Sequence, residues 1–183
     1  MKKFEETTID TEQIFNGHII QVQVDTVKLP NDKISTREMV KHPGAVAIIP
    51  ITNDGKILFV EQYRKPLEKS IVEIPAGKLE KGEEPIQTAV RELEEETGYT
   101  TATESLKFVD SFYTSPGFAD EKMYIYLTTD IEKLDIEVEG DEDEFVELLE
   151  LTLDEAFMYM KEERIHDAKT NYALMYVKAQ GLM

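Results

Sequence analysis

Polar and apolar residues alternate from His18 to Leu29 (HIIQVQVDTVKL), which puts Ile20, Val22 and Val24 on one face with the period of two of a half-buried strand. Pro30-Asn31-Asp32 reads as a turn, and Ile34 to Val40 returns as the partner strand. Lys41-His42-Pro43-Gly44 then punctuates the chain. It is the expected boundary between a β-strand appendage over residues 1–40 and a main domain over residues 41–183. That domain opens on Ala45 to Ile51, an apolar run suited to a buried strand. Asn53-Asp54-Gly55 is a hairpin turn into a strand from Lys56 to Tyr63, and Ile71 to Ile74 is a short strand ending at Pro75. A helix is predicted from about Glu84 to Thr97, with Pro85 in its first turn and Gly98 closing it. Further strands are expected at Leu106 to Tyr113, Met123 to Thr128 and Phe145 to Leu151, and helices at Leu153 to Glu163 and Asp167 to Gln180. This mixed order predicts an α/β (α+β) sandwich with helices packed on sheet.

Composition narrows the function more than the fold. The 183 residues suit one domain, or one domain with an appendage. A net charge of −18 repels nucleic-acid backbones and anionic membranes, so no nucleic acid and no membrane is expected as a partner. The absence of cysteine excludes disulfides, thiolate metal sites and cysteine nucleophiles. No apolar run approaches the roughly 20 residues of a membrane-spanning helix. The start, MKKFEETTID, turns acidic too soon for a secretory signal, so the expected location is cytoplasmic. His18, His42 and His166 are scattered, and no serine–histidine–acid pattern stands out. An anionic ligand must therefore be met by metal ions or by local arginines.

The predicted helix carries the chemistry. Ile86, Val90, Leu93 and Thr97 form one stripe expected to be buried, with Ala89 at its margin. Glu92, Glu95 and Glu96 fall on a separate arc of roughly 100°. Three carboxylates on one patch repel one another without a cation, and Glu92 and Glu96, four apart, can point at one spot. Oxygen ligands at such spacing suit Mg²⁺ or Mn²⁺. An acidic chain also carries solvated acidic helix faces, which is the plain alternative. The full spacing favours the site. Gly77, Glu83, Arg91, Glu92, Leu93, Glu95, Glu96 and Gly98 stand as G-x5-E-x7-R-E-x-x-E-E-x-G, a coincidence on the order of once in 10⁵ chains or fewer.

These residues resemble the Nudix box, the signature of hydrolases that cleave a nucleoside diphosphate linked to another group. Tyr99 departs from the family, which has an aliphatic residue at this core-packing position. The resemblance implies a Nudix-type α/β/α sandwich with a mixed sheet, plus an N-terminal antiparallel β appendage. It implies Mg²⁺, with Mn²⁺ as a substitute, held by Glu92, Glu96 and the Ala76 carbonyl beside the tight backbone at Gly77. Glu95 would be a further ligand or a base. Arg91 would pair with Glu83 and hold the loop against the helix. In the ADP-ribose pyrophosphatases of this family an acidic loop precedes the strand that here begins near Phe145-Val146. Glu142 resembles its general base and Glu144 its additional metal ligand. A register shifted by one residue would transfer the roles to Asp141 or Asp143.

The likeness extends to substrate contacts. Ser115-Pro116-Gly117 followed by Glu121 resembles the S-P-G-x-x-x-E mark of the ADP-ribose subfamily, with Glu121 on a ribose hydroxyl. Arg64, in Glu61-Gln62-Tyr63-Arg64, resembles an arginine that meets the diphosphate or the terminal ribose. Arg37 resembles a second, which in relatives comes from the partner subunit because the N-terminal sheet exchanges across a homodimer. His18 follows Phe15-Asn16-Gly17, where some relatives place an aromatic ring under adenine. Gly77 belongs with the substrate contacts through its close backbone. The expected reaction is ADP-ribose plus water giving AMP and ribose 5-phosphate. Hydrolysis of another nucleoside diphosphate sugar is the alternative within the class, and a nucleotide sensor that does not cleave is the alternative outside it. An acidic calcium binder would fit the charge but leaves the Gly77 and Arg91 spacing unexplained, and the chain has no EF-hand loop.

Overall fold

A computed structural model describes residues 3–135, 138 and 145–183. In chain order its elements are β1 (Thr7–Asn16), β2 (Gln21–Lys28), β3 (Ile34–Lys41), β4 (Ala45–Pro50), β5 (Ile57–Arg64), β6 (Lys69–Glu73), β7 (Ala76–Lys78), α1 (Pro85–Thr97), β8 (Tyr99–Thr100), β9 (Lys107–Tyr113), β10 (Lys122–Thr128), β11 (Glu132–Lys133), β12 (Val146–Leu151), α2 (Leu153–Lys161) and α3 (Ala168–Gln180). They fall into two compact units, Met1–Gly44 with Phe112–Lys122, and Ala45–Ser111 with Met123–Met183.

The first unit is an antiparallel meander in the order β1-β2-β3. The alternation in β2 predicts Val22 and Val24 as its buried side, but the most buried positions are Asp25 and Val27. Asp25 can be buried because its carboxylate is satisfied. It accepts hydrogen bonds from Thr11 Oγ1 (2.8 Å), Thr8 Oγ1 (3.0 Å) and Gln23 Nε2 (2.8 Å). The bond from Thr11, helped by those from Gln23 and Thr8 and opposed by burial, holds this carboxyl below the usual carboxylate range. The turn at Ser115-Pro116-Gly117 docks on β3. Val40 N–H donates to the Phe118 carbonyl at 2.8 Å, and Asp120 N–H donates to the Val40 carbonyl at 3.2 Å.

The second unit contains a four-stranded sheet in the order β7-β4-β10-β9 and a three-stranded sheet in the order β12-β5-β6. β10 runs parallel to β4, whereas β7 pairs with β4 antiparallel, so the sheet is mixed as expected. β4 is buried at every position, and Ile48, Ile57, Phe59, Ile71, Leu93, Ile125 and Leu174 fill the core. The helix α1 lies over Val46, Ile48 and Tyr126. Its centre is Ala89 and Leu93, both fully buried, while Ile86 and Val90 pack at the edge and are only partly buried. That reverses the expected roles of Ala89 and Ile86: small Ala89 lets the helix approach the sheet, and the longer side chains cover the seam. Gly98 ends α1 at φ 69°, donating its N–H to the Glu94 carbonyl at 3.0 Å, a left-handed turn that glycine adopts without strain. Tyr99 is half-buried rather than packed in the core. Its phenol reaches Glu150 at 3.3 Å, which is why an aromatic residue with a polar end is accommodated there.

Candidate active site

The site grows out of how three short stretches meet. β6 ends at Glu73, Ile74 and Pro75 follow, and β7 places Ala76 opposite Ala47 and Gly77 opposite Val46. This puts the backbone of residues 76–77 against the helix α1. The Ala76 N–H donates to Glu96 Oε2 at 2.9 Å, and Gln62 Nε2 on β5 lies 3.5 Å from Glu96 Oε1. A Cβ added at Gly77 would overlap the Glu92 carboxylate. Gly77 is therefore required by a close approach, not by an unusual φ. Glu92 and Glu96 are each only 7% exposed, which contradicts a solvated acidic face.

Arg91 ties the loop to the helix. Its Nε and Nη2 donate to Glu83 at 3.3 and 3.2 Å, and Nη2 also reaches the Lys78 carbonyl at 3.3 Å. Its Nη1 donates to both Glu92 Oε1 and Glu95 Oε2 at 2.8 Å. Thr88 Oγ1 donates to Glu83 at 2.8 Å. Burial works against the Arg91 charge, but the bond to Glu83 and the charges of Glu92 and Glu95 outweigh it and raise its pKa. The Arg91 bond in turn holds Glu83 below the usual carboxylate range, against the opposing effect of burial. A depressed carboxyl stabilises the fold above its unfolded pKa, and that contribution is lost as pH falls through the folded value. Thermal stability should thus fall below the ordinary value of 4.5, and Glu83→Gln should flatten that acid limb. Parallel melting curves for the two proteins across this range would contradict the linkage.

The donor set fits a hard cation. Glu92 and Glu96 are buried carboxylates four residues apart, beside the Ala76 peptide, in a chain of net charge −18. Glu95 is engaged by Arg91. Among the described residues no group of three or more acidic or histidine side chains is gathered at metal-binding distance. Glu142 and Glu144 lie outside the described residues.

Arg64 is on the same face of β5 as Gln62, and its Nε donates to Glu73 Oε2 at 2.6 Å. The remaining expected contacts belong to the first unit. Arg37 is held by Glu6 through Nε (2.8 Å) and Nη2 (2.5 Å), with Nη1 on Ser35 and the Thr36 carbonyl. Pro116, Phe118 and Asp120 line a cleft of about 350 Å³ with Arg37 and Lys41. Glu121 accepts from Thr114 Oγ1 at 2.5 Å and lies 3.9 Å from His42 Nδ1. His18 is exposed in the bend between β1 and β2. Sequence reasoning missed Gln62 and Glu73 as neighbours of the site, and no spacing rule would have found them, since both are brought in by strand pairing.

Comparison with known proteins supplies the context for this geometry. The profile of the NUDIX domain matches residues 41–173, and that of the nucleoside diphosphate sugar hydrolase N-terminal domain matches residues 6–40. A Bacillus methanolicus protein named methanol dehydrogenase activator is 61% identical, covering 98% of this chain and 96% of its own length. A Bacillus subtilis (strain 168) protein named ADP-ribose pyrophosphatase is 56% identical, covering 97% of this chain and 95% of its own. A solved structure described as an ADP compounds hydrolase superposes with a TM-score of 0.83 at 22% identity, covering 98% of this chain and 97% of that one. That likeness speaks for the fold alone.

Proposed function

The chain belongs to the Nudix family, whose domain profile spans residues 41–173, and from that premise we propose that it hydrolyses ADP-ribose to AMP and ribose 5-phosphate with Mg²⁺, Mn²⁺ being the substitute. The observation that carries the chemistry is the pair of buried carboxylates, Glu92 and Glu96, closed over by the Gly77 backbone. The choice of substrate is supported by the ADP-ribose pyrophosphatase that is 56% identical over nearly the whole chain.

Divalent ions, if bound, would supply Lewis-acid chemistry, stabilising charge on the diphosphate and lowering the pKa of the attacking water. Glu92, Glu96 and the Ala76 carbonyl would hold them, with Glu144 completing the set. Arg91 keeps Glu92 and Glu95 aimed by donating to both. Glu142 takes the proton of the water. Arg64 meets the diphosphate, and Glu121 meets a ribose hydroxyl. Arg37 does the same for the substrate of the partner subunit after exchanging Glu6 for a phosphate, and His18 stacks on the base. Such an enzyme acts in the cytoplasm, and no helix among the described residues is long and apolar enough to cross a membrane.

Residues 1–40 form the dimer contact in this reading. Ile9, Ile14, Phe15 and Ile34 are each more than half exposed within their own unit, an apolar surface suited to a second copy. Deletion of residues 1–40 should give a monomer with weakened substrate binding, read by light scattering and KM. A truncated protein that still dimerises would contradict the placement.

A panel of ADP-ribose, an ADP-hexose and a GDP-hexose with Mg²⁺ tests the substrate. The expected result is fastest release of AMP from ADP-ribose. Equal or faster turnover of a hexose derivative would displace that choice. Binding without any release of AMP would make the protein a sensor.

A further inference from the structure

Glu73 is a charged residue only 3% exposed, and it stands between two cations. Arg64 Nε binds its Oε2 at 2.6 Å, and the Lys169 ammonium binds its Oε1. Lys169 also reaches Asp167 Oδ1 at 3.1 Å, and Asp167 caps α3 by accepting the Thr170 N–H at 3.0 Å. Thr170 Oγ1 in turn accepts the Ile74 N–H at 3.1 Å, next to Glu73 in the chain. The carboxylate is thus clamped by α3 from one side and offers its other oxygen to Arg64.

Arg64 differs from Arg91 and Arg37 in the donors it leaves open, and from Arg164 in the burial of its carboxylate partner. Arg91 donates through Nε, Nη1 and Nη2, and so does Arg37. Arg164 gives Nη2 to Glu61 at 2.8 Å and lies over the Tyr159 ring at 4.0 Å. Among the described residues Arg64 donates through Nε alone, to a buried partner, while 37% of its side chain is exposed. Strand pairing gives the direction. Glu73 sits opposite Val60, four residues before Arg64 on β5, so the bond from Arg64 Nε runs back along the face of the strand that also carries Gln62. Gln62 Nε2 lies 3.5 Å from Glu96 Oε1, so the strand face that carries Arg64 also reaches the carboxylates of α1.

We propose that Glu73, anchored by Lys169 and Asp167, is a positioning residue that holds Arg64 by Nε and leaves Nη1 and Nη2 to grip the diphosphate of the substrate. This rests on the reading that Arg64 contacts that diphosphate. A planar guanidinium can divide its donors between two partners a fixed distance apart. An ammonium can bond two anions, as Lys169 does, but only where both crowd one nitrogen, so a lysine cannot span the same separation.

The test compares wild type with Arg64→Ala, Arg64→Lys, Glu73→Gln and the double variant Arg64→Ala/Glu73→Gln. KM and kcat are measured with Mg²⁺, and Kd is measured by calorimetry in metal-free buffer, where turnover stops and the arginine contact is read directly. ADP-ribose and an ADP-hexose are run in parallel, because the inference concerns the diphosphate that both carry. Arg64→Ala and Arg64→Lys should each raise KM and Kd about 10- to 100-fold, with a smaller change in kcat. Glu73→Gln should raise KM by about tenfold in the presence of Arg64 and add nothing in its absence. Arg64→Lys keeps the ion pair to Glu73, so it remains informative even where Glu73→Gln fails to fold. Wild-type binding by Arg64→Lys would overturn the positioning role while leaving the Arg64 contact in place. Equal effects of Glu73→Gln with and without Arg64 would overturn it as well. No effect of Arg64→Ala on either ligand would remove the contact and the inference together. Loss of ADP-ribose turnover alone, with the hexose behaving as described, would change the assigned sugar and support the positioning role.

Discussion

Glu96→Gln is expected to lower kcat by about 10²- to 10⁴-fold, the equivalent of the several kcal/mol a bound cation contributes to phosphoryl chemistry. The fold should survive the change. Glutamine is the same length and keeps an oxygen to accept the Ala76 N–H, now at 2.9 Å, and the substitution removes a negative charge from a position only 7% exposed. Stability should therefore hold, since the glutamine oxygen keeps the bond from the Ala76 N–H and no new charge is buried. Turnover with saturating Mg²⁺ and the melting temperature decide the matter together. Near-normal turnover would mean that Glu96 holds no metal and serves only to receive the Ala76 amide. A collapse of both activity and melting temperature would make it a structural residue.

Gly77→Ala should damage both stability and activity. The added methyl overlaps the Glu92 carboxylate, and neither side can give way easily. Glu92 is fixed by Arg91 at 2.8 Å, and Gly77 is fixed by its pairing with Val46 on β4. Overpacking of this kind destabilises by about 1–3 kcal/mol. A ligand displaced by about 1 Å can lower activity on the order of 10²-fold. The two effects can be separated. Adding Glu92→Asp shortens the side chain, relieves the overlap and should restore the melting temperature, while activity stays low because the carboxylate is withdrawn. Wild-type kcat for Gly77→Ala would show that the close approach of backbone and carboxylate has no part in the chemistry.

How far the sequence can be read depends on the range of the interaction. The spacing from Gly77 to Gly98 is legible because one helix and one tight loop carry it, and local geometry converts spacing directly into proximity. The pairing of Glu83 with Arg91 is of this kind, eight residues apart and joined at 3.2 Å. The reach of Arg91 to Glu92 and Glu95 at once is not, because it depends on which way the guanidinium turns when the loop closes. The burial of Glu92 and Glu96 was hidden for a similar reason. Periodicity marks the apolar stripe but not the edge strand β7, paired beside β4, whose backbone at Ala76 and Gly77 meets Glu96 and Glu92. β7 itself is three residues with a glycine at its centre and has no period to detect. Asp25 shows the converse error. An alternating strand suggests that Val22 and Val24 are inside, yet hydrogen bonds from Thr8, Thr11 and Gln23 let the Asp25 carboxylate be better buried than either. The approach of Glu73 to Arg64 across a hairpin, with Lys169 coming from 96 residues away, is tertiary structure in the full sense.

The most direct test of metal-dependent diphosphate cleavage is incubation of the full chain with ADP-ribose in ¹⁸O-labelled water, with and without Mg²⁺, followed by mass analysis of both products. The expected outcome is AMP and ribose 5-phosphate in equal amounts, one labelled oxygen on the phosphate of one of them, and no cleavage once the ion is chelated. Unlabelled products, cleavage that persists in chelator, or bound ADP-ribose recovered whole would contradict the role assigned to Glu92 and Glu96.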